Sequence, residues 1–201
     1  MQKQIVIIHG GNTFNKYIDF FNSILNKEVE KDNFFPKEDW KSSISKKLGD
    51  NFEVFIPRMP NSNNAKYKEW KAWFNRLVPF LNDGVILIGH SLGGIFLAKY
   101  LSTNPGLKLK IRALILIAPP FEETYIGDCL GTFKFKKSIK NINTLVNKIF
   151  LIQSEDDIIV SPINMDKYLN ELPNAKTMLF KDRGHFNQPE FPELYEIIKS
   201  L

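Results

Sequence analysis

One segment of the chain has the residue types and spacing of a nucleophilic serine. Residues 85–94 read V-I-L-I-G-H-S-L-G-G, so an apolar run ends in the pattern G-x-S-x-G with Ser91 at its centre. A helix-compatible stretch follows at residues 95–101. In this pattern the serine lies on a sharp strand-to-helix turn, where glycines leave room for the backbone. The first N–H groups of the following helix would then stabilise an anion forming on the serine.

A serine nucleophile needs a base, and the chain has three histidines. His90 is part of the turn, and its side chain is expected to point away from the reaction. His9 ends the first apolar run. His185 follows residues 177–180, which read as a strand, on a loop that can reach over the sheet edge toward Ser91. We therefore predict that His185 takes the serine proton and returns it to the leaving group.

Two adjacent carboxylates are candidates for the acid that orients this histidine. Asp156 and Asp157 follow the apolar stretch 149–152, which reads as a strand. One of them could instead cap the helix predicted after Pro162. Asp157 is favoured because the apolar Val160, three residues further on, would anchor the loop, which leaves Asp156 as a turn residue.

The order serine, aspartate, histidine is that of the α/β-hydrolases, whereas other well-known serine hydrolase folds use other orders. The chain resembles small α/β-hydrolases without a lid domain, in the family of retinoblastoma-binding-protein-9-like serine hydrolases and bacterial YdeN-like proteins. The resemblance rests on I-V-I-I-H-G-G-N at 5–12, G-H-S-L-G-G at 89–94, S-E-D-D at 154–157 and D-R-G-H-F at 182–186. In that family the second Asp of S-x-D-D is the triad acid, which implies Asp157.

One known property of that family is not implied for this chain. Its vertebrate member is linked to the retinoblastoma protein through an L-x-C-x-E motif. This chain has one cysteine, Cys129, and no such motif. That partner is therefore not expected.

Backbone N–H groups near Ser91 are predicted to form an oxyanion hole. One donor is the N–H of Leu92, directly after the serine, and the other should come from the loop after the first strand. Gly11 is the first choice there and Asn12 the second. A tight turn without a catalytic role is the alternative for this loop, which lacks the G-x-G-x-x-G and lysine of phosphate-binding loops.

The substrate is expected to be a small acyl ester or a related carbonyl compound, including a peptide, bound in an open site. Residues 119–148 are too few for a separate lid domain between two strands. Four aromatic residues are expected at the rim: Phe121, Phe133, Phe135 and Phe186. Phe121 and Phe186 are the candidate substrate-binding residues, with core packing as the alternative for each. Trp40, in the long insertion 12–51, could add a wall.

The remainder of the chain alternates strands and helices, as a parallel sheet with helices on both faces requires. Strands are predicted at 4–8, 52–56, 85–88, 111–117, 148–153 and 175–180. Helices are predicted at 14–26, 37–48, 66–81, 162–171 and 192–200, besides the one after Ser91. The expected fold is a six-stranded, mostly parallel α/β-hydrolase domain over residues 1–201.

Composition narrows the possible partners and location. The 201 residues are 43% hydrophobic and 24% charged, which is ordinary for one globular domain. The net charge of +5 comes mostly from dispersed lysines, so no nucleic-acid partner is predicted. One cysteine suits a reducing compartment, and the first apolar stretch is too short for a signal peptide or a membrane span. A cytoplasmic protein without a membrane partner is expected, as a monomer or a homodimer.

No cofactor or metal is expected, because the acidic residues 155–157 have no histidine or cysteine companions at ligand spacing. Two other functions stay open. The first is a non-catalytic protein-binding module on a hydrolase scaffold, since a fold does not determine function. The second is an acyltransferase or thioesterase with the same three residues, although no nucleotide-binding motif is visible.

Overall fold

The computed structural model describes residues 2–36, 38–125 and 129–201. Within these ranges six strands form one sheet: β1 Lys3–Ile8, β2 Phe52–Phe55, β3 Val85–His90, β4 Ile111–Ile117, β5 Val146–Ser154 and β6 Lys176–Phe180. The α-helices described are α1 Tyr17–Leu25, α2 Trp40–Leu48, α3 Tyr67–Leu77, α4 Leu92–Ser102, α5 Ile142–Leu145, α6 Ile163–Glu171 and α7 Pro192–Lys199. The prediction of six strands and alternating helices is confirmed.

All neighbouring strands of the sheet are parallel, in the order β2-β1-β3-β4-β5-β6. The carboxyl ends of parallel strands meet at one edge of a sheet, which is where ligands bind in open α/β folds. The segments that follow β3, β5 and β6 carry Ser91, Asp157 and His185 respectively. The topology therefore brings the three predicted residues to one edge.

Helices cover both faces of the sheet, because the central strands are apolar on both sides. On one face, Val6, Ile8 and Leu87 pack with Trp70 of α3 and Phe96 of α4. On the other face, the alternate side chains of the strands pack against the buried residues of α2 and α7. This second core includes Ile5, Ile7 and Ile86 of the sheet, Trp40 and Ile44 of α2, and Leu194 and Ile198 of α7. The two cores hold the strand ends, and with them the site, in fixed register.

Helix boundaries differ from the sequence prediction where local chemistry intervenes. The helix predicted at 66–81 ends at Leu77 and continues as a 3-10 turn, Val78–Phe80, because Pro79 has no N–H to donate. The helix predicted at 37–48 begins at Trp40, since the Asp39 carboxylate accepts the Lys41 and Ser42 N–H groups as an N-cap. Its predicted first residue, Lys37, lies outside the described residues.

The first helix forms but does not pack as its sequence pattern suggests. The prediction of a helix at 14–26 is confirmed as α1, yet none of its residues is buried. Every described residue from 21 to 36 is exposed, including a 3-10 helix at Lys31–Phe34. The apolar stripe of this helix therefore faces solvent.

The segment between β4 and β5 forms no separate layer in its described part. Phe133, Ile139 and Ile142 are buried in the core that covers α3 and α4. This agrees with the expected absence of a lid domain, although residues 126–128 are not described. No helix in the described ranges is both long enough and apolar enough to cross a membrane.

Candidate active site

Ser91 is the single residue between β3 and α4. Its backbone has φ 53° and ψ −123°, a conformation that residues with a side chain rarely adopt. The Ser91 N–H donates to the Ile117 carbonyl of β4 at 2.8 Å, which holds the turn against the sheet. A Cβ on Gly93 would lie 2.1 Å from the Ile8 carbonyl oxygen, and one on Gly89 would lie 2.6 Å from the Gly93 carbonyl oxygen. Only glycine fits at either position, as the sequence indicates.

Asp157 is the carboxylate that contacts His185. The distance from Asp157 Oδ2 to His185 Nδ1 is 2.8 Å, and the Asp157 side chain is fully buried. Its other oxygen, Oδ1, accepts the N–H groups of Ile159 and Val160, both at 2.9 Å. Because both oxygens have partners, the carboxylate is held in one orientation and its burial is compensated.

Asp156 has a different task on the same loop. Its Oδ1 accepts the Ser154 hydroxyl at 2.5 Å and the Gly184 N–H at 2.8 Å. The Ser154 hydroxyl in turn accepts the N–H of Arg183 at 2.9 Å. These hydrogen bonds, with that from Ser154 the largest cause, hold the pKa of the Asp156 carboxyl below its usual value. Asp156 and Ser154 together bind the backbone of the loop that carries His185.

Two further side chains hold that loop from the other side. His90 Nε2 is 2.8 Å from the His185 carbonyl oxygen, and Trp40 Nε1 donates to the Phe186 carbonyl at 3.0 Å. The backbone of residues 183–186, which we call the His185 loop, is thus bound at each of its four residues. A shift of the loop would break these four hydrogen bonds, of which the one from Trp40 is buried and therefore the most costly to leave unmade.

The sequence suggests that the His90 side chain points away from the reaction. In the structure it lies against His185. Its ring centroid is 5.0 Å from that of His185, and its other neighbour is the ring of Trp40. A carbonyl can only accept, so Nε2 of His90 carries the proton. Burial, followed by electrostatic repulsion from Lys41 and from the neighbouring imidazole of His185, holds the pKa of His90 well below its usual value. His90 is therefore a neutral donor that positions the backbone of His185.

His9 holds backbone rather than acting as a base. Its Nε2 accepts the Met59 N–H at 2.9 Å, so this nitrogen carries no proton. Its Nδ1 is 2.6 Å from the Gly10 carbonyl oxygen and donates to it. Both ring nitrogens are engaged, and the tautomer is fixed by their partners.

The oxyanion candidates differ in whether their N–H groups are free to point at a substrate. Leu92 is the first residue of α4, where the helix provides no acceptor for its N–H. The Asn12 N–H donates to the Ser62 carbonyl at 2.8 Å and is not available to a substrate. Asn12, predicted as the alternative to Gly11, is therefore wrong as an oxyanion donor. The β1 loop passes close to the serine, since a Cβ on Gly10 would lie 3.1 Å from Ser91 Cβ. Gly11, directly after it, stays the candidate donor.

A cavity of about 190 Å³ opens beside Ser91. The loop after β1 supplies one wall through residues 11–14, and Leu92 lies next to the serine. Opposite, Ile159 and Val160 follow Asp157, so the same residues whose N–H groups orient that carboxylate also line the cavity. The remaining lining residues are Pro120, Glu122, Thr124, Cys129, Leu130 and Asn164.

The expected aromatic rim is wrong in its residues. Phe186 is fully buried and stacks on Phe191, with ring centroids 5.2 Å apart, so its side chain anchors the His185 loop in the core. Phe133 is also fully buried. The ring of Phe121 packs against those of Phe135 and Tyr168, with 5.0 Å between ring centroids in each pair. None of these three side chains lines the cavity.

The aromatic residue that does line the cavity is Phe14, which the sequence does not single out from its apolar neighbours. Trp40 is not a wall either, since it is fully buried beneath the His185 loop. Buried Asn164 supports another wall by accepting the Phe121 and Glu122 N–H groups at 2.8 and 3.2 Å. These placements depend on contacts between distant segments, so no local signal could have found them.

No group of three His, Cys, Asp or Glu side chains that could hold a metal ion occurs in the described parts of the chain. The carboxylate of Asp156 instead accepts hydrogen bonds from Ser154 and Gly184. That of Asp157 contacts His185 and accepts from the backbone of the following turn. The arrangement of the site suits proton transfer and nucleophilic attack.

A serine on a strand-to-helix turn, at one edge of a parallel sheet with loops from two later strands, defines a protein of the α/β-hydrolase class. The serine hydrolase family model matches residues 35–200. The chain belongs to the serine hydrolase family, and it is an enzyme.

Known proteins support this assignment. The chain is 28% identical to the serine hydrolase RBBP9 of Rattus norvegicus over 154 residues, which cover 75% of this chain and 78% of that protein. Its fold is similar to the ydeN gene product from B. subtilis, with a TM-score of 0.77, 21% identity and coverage of 99% and 98% of the two chains. It is also similar to naproxen esterase from Bacillus subtilis, with a TM-score of 0.62, 12% identity and coverage of 99% and 83%. The resemblance to RBBP9-like and YdeN-like proteins is confirmed.

Proposed function

We propose that this enzyme hydrolyses small carboxylic esters through an acyl-enzyme on Ser91. His185 is the general base and acid, and Asp157 orients His185. The observation that carries the proposal is the 2.8 Å contact between Asp157 Oδ2 and His185 Nδ1, with the other carboxylate oxygen tied to backbone N–H groups. A buried carboxylate held this way keeps the proton on Nδ1, which leaves Nε2 able to accept the serine proton.

The reaction proceeds in two halves. Ser91 Oγ attacks the substrate carbonyl while His185 Nε2 takes its proton, and a tetrahedral oxyanion forms. The C–O bond to the leaving group breaks as His185 returns the proton, which leaves the acyl group on Ser91. Water then attacks the acyl-enzyme with His185 as base, and the carboxylic acid leaves as the serine is restored.

The oxyanion is stabilised by backbone N–H groups. Leu92 provides one, supported by its place at the N-terminus of α4, where the helix dipole also favours negative charge. Gly11 provides the second, supported by its position in the cavity beside Ser91. The strained backbone of Ser91, with φ 53° and ψ −123°, supports the proposal, because such strain is typical of functional residues held on sharp turns.

The size of the cavity argues for a short acyl group. Its volume of about 190 Å³ is below the roughly 300–1,000 Å³ of sites for drug-sized ligands. Its walls combine apolar side chains, such as Leu92, Leu130 and Val160, with a polar edge at Glu122, whose carboxylate pairs with Lys167. The acyl chain of a small-molecule or peptide substrate would contact the apolar walls while the leaving group remains in solvent.

The proposal requires no cofactor. A cytoplasmic location stays a prediction, which the single cysteine supports.

The test is turnover of p-nitrophenyl acetate, butyrate and octanoate beside the matching thioesters. We expect kcat/KM to be highest for the short oxyesters and to be abolished in Ser91→Ala. Preference for thioesters would move the enzyme to the thioesterase alternative. No turnover of any substrate by the folded protein would contradict the proposal.

A further inference from the structure

Within the described residues, half of the exposed large apolar side chains lie on α1 and the segment after it. Five apolar side chains of α1 are between 43% and 71% exposed: Tyr17, Ile18, Phe21, Ile24 and Leu25. Three more apolar residues follow before α2, all more than half exposed: Val29, Phe34 and Phe35. We call these eight side chains the α1 face.

The five helical members of the α1 face lie on one side of the helix. Their spacing of i, i+1, i+4, i+7 and i+8 is that of a continuous apolar stripe at 3.6 residues per turn. Phe20, on the edge of the helix, attaches it to the rest of the chain through Phe14, at 5.6 Å between ring centroids. The stripe that would normally face a core is therefore the side turned to solvent.

A helix of this kind needs a covering surface. Nine-residue helices are marginal in water, and most of their stability in proteins comes from packing an apolar face. Here the helix buries no residue, and its N-cap residue, Lys16, provides no side-chain hydrogen bond. The helix therefore gains little stability from its own chain, and a partner packed on its outer side would supply what is missing.

The α1 face exposes a large apolar area. With roughly 200 Å² for each fully exposed large side chain, its five helical members expose on the order of 570 Å², and the three residues after the helix add on the order of 370 Å². The largest apolar patch on a typical monomer is about 300–600 Å². A standard interface between two proteins covers about 800 Å² on each partner.

Charge distinguishes the candidate partners. A helix that lies on a lipid surface carries lysine or arginine along its polar face. The α1 helix has no basic residue, and its polar side holds Asp19, Asn22 and Ser23. The flanking chain mixes both signs, with Lys16, Lys27 and Lys31 beside Glu28, Glu30 and Asp32. Because these three cations and three acids are interspersed, a second copy related by two-fold symmetry can offer an opposite charge to each of them.

We propose that the α1 face binds the same face of a second copy of this chain, which makes the enzyme a two-fold symmetric homodimer. Pairing the two stripes removes both from water, and it provides each short helix with the packing that its own chain lacks. This interface would be closed by symmetry, so the association stops at two copies.

A consequence for catalysis follows, and it rests on the proposed function. Phe14 lines the cavity beside Ser91, and its ring contacts that of Phe20. The ring of Phe20 contacts Tyr17, whose ring stacks on Phe21 of the α1 face. Dimer formation would hold this row of rings, and with it one wall of the cavity. KM is therefore expected to fall as the dimer forms, while the mass measurement below is independent of any activity.

The experiment is the mass in solution by sedimentation velocity over a wide range of protein concentrations. Wild type is expected to change from the 23.3 kDa monomer to twice that mass as concentration rises. Phe34→Glu and Ile18→Glu each place a charge in the interface and should weaken dimer formation at least tenfold. The matched control is Phe80→Glu, because Phe80 is 70% exposed against 76% for Phe34, and both residues end 3-10 helices.

The outcomes separate the possible partners. A dimer that is equally weakened by Phe80→Glu would show a different interface and overturn the proposal. A monomer at every concentration would also overturn it. Flotation of that monomer with neutral phosphatidylcholine vesicles would then assign the face to lipid. Phe34→Glu keeps the test valid if Ile18→Glu prevents α1 from forming, because Phe34 lies outside that helix.

Discussion

The His185 loop and the α1 face represent two opposite ways in which this chain uses its side chains. In the His185 loop, four consecutive residues are each held by a partner from a distant segment: Ser154, Asp156, His90 and Trp40. Along α1, large apolar side chains have no cover, and no residue is buried. The first region is held by groups of the same chain, whereas the second leaves its apolar side chains exposed.

The difference between the two regions indicates which part of the fold suits catalysis and which part suits association with a partner. A site that moves protons needs its groups held in one geometry, so it is surrounded by hydrogen bonds that the same chain supplies. An apolar face left in water has a cost that a partner removes. Loss of a group that holds the His185 loop should therefore affect catalysis, and changes on the α1 face should affect association.

The largest effect should separate the two aspartates of the His185 site. Asp157→Asn replaces the acceptor that fixes the histidine tautomer, so kcat should fall about 10⁴-fold. Asp156→Asn keeps an oxygen for the Gly184 N–H and should leave kcat within about tenfold of wild type. Steady-state kinetics on a p-nitrophenyl ester measures both. Equal losses in the two variants would mean that Asp156 and Asp157 share one role, against the geometry.

The second test asks whether His90 positions the loop. His90→Leu leaves the partly buried His185 carbonyl without this donor, at a cost of about 1–3 kcal/mol, and if the whole cost falls on the transition state kcat should fall roughly 5–150-fold. KM should not change, and His90→Gln should restore part of the rate because its amide can donate. If glutamine and leucine reduce kcat equally, the hydrogen bond is not the cause.

The third test uses the pKa of His90, which burial lowers in the folded state. Below the unfolded pKa of about 6.5, the unfolded chain binds a proton that the folded chain does not, so stability falls as the pH drops. The slope for one such proton approaches about 1.4 kcal/mol per pH unit until the folded pKa is reached. Urea unfolding at several pH values should give a smaller slope for His90→Gln. A slope that the variant leaves unchanged would show that other groups cause the pH dependence.

The smallest effect should separate the two phenylalanines nearest the cavity. Phe14→Ala removes an apolar wall and should raise KM for butyrate esters about threefold to tenfold, with little change in kcat. Phe121→Ala should leave KM unchanged but lower the free energy of unfolding by about 2 kcal/mol, since its ring packs on Phe135 and Tyr168. The reverse pattern would return Phe121 to the substrate site.

Much of the fold could be predicted from the sequence because local patterns decide it. Branched apolar runs predict β3, β4 and β5, which are largely buried on both faces, and helical spacing predicts α2 and α3. The glycines at 89 and 93 predict the turn at Ser91, because a side chain at either position would meet backbone. The preference for Asp157 over Asp156 rests on the spacing to the apolar Val160 and on the family resemblance. In the structure the Val160 N–H also donates to the Asp157 carboxylate.

The rest depended on contacts that no local pattern contains. Phe186 follows His185 directly, but its backbone turns at φ 53° and sends the ring into the core rather than to the cavity. Asn12 is lost as a donor because the distant Ser62 accepts its N–H. Helical periodicity predicted the stripe of α1 but could not say which surface would cover it.

The central claim is that Ser91 is an activated nucleophile, and intact-mass labelling with a fluorophosphonate tests it most directly. Wild type should gain a single adduct, Ser91→Ala should gain none, and Asp157→Asn should label much more slowly than Asp156→Asn. Absence of an adduct on folded wild-type protein, or an adduct that persists in Ser91→Ala, would contradict the account and favour a binding module on a hydrolase scaffold.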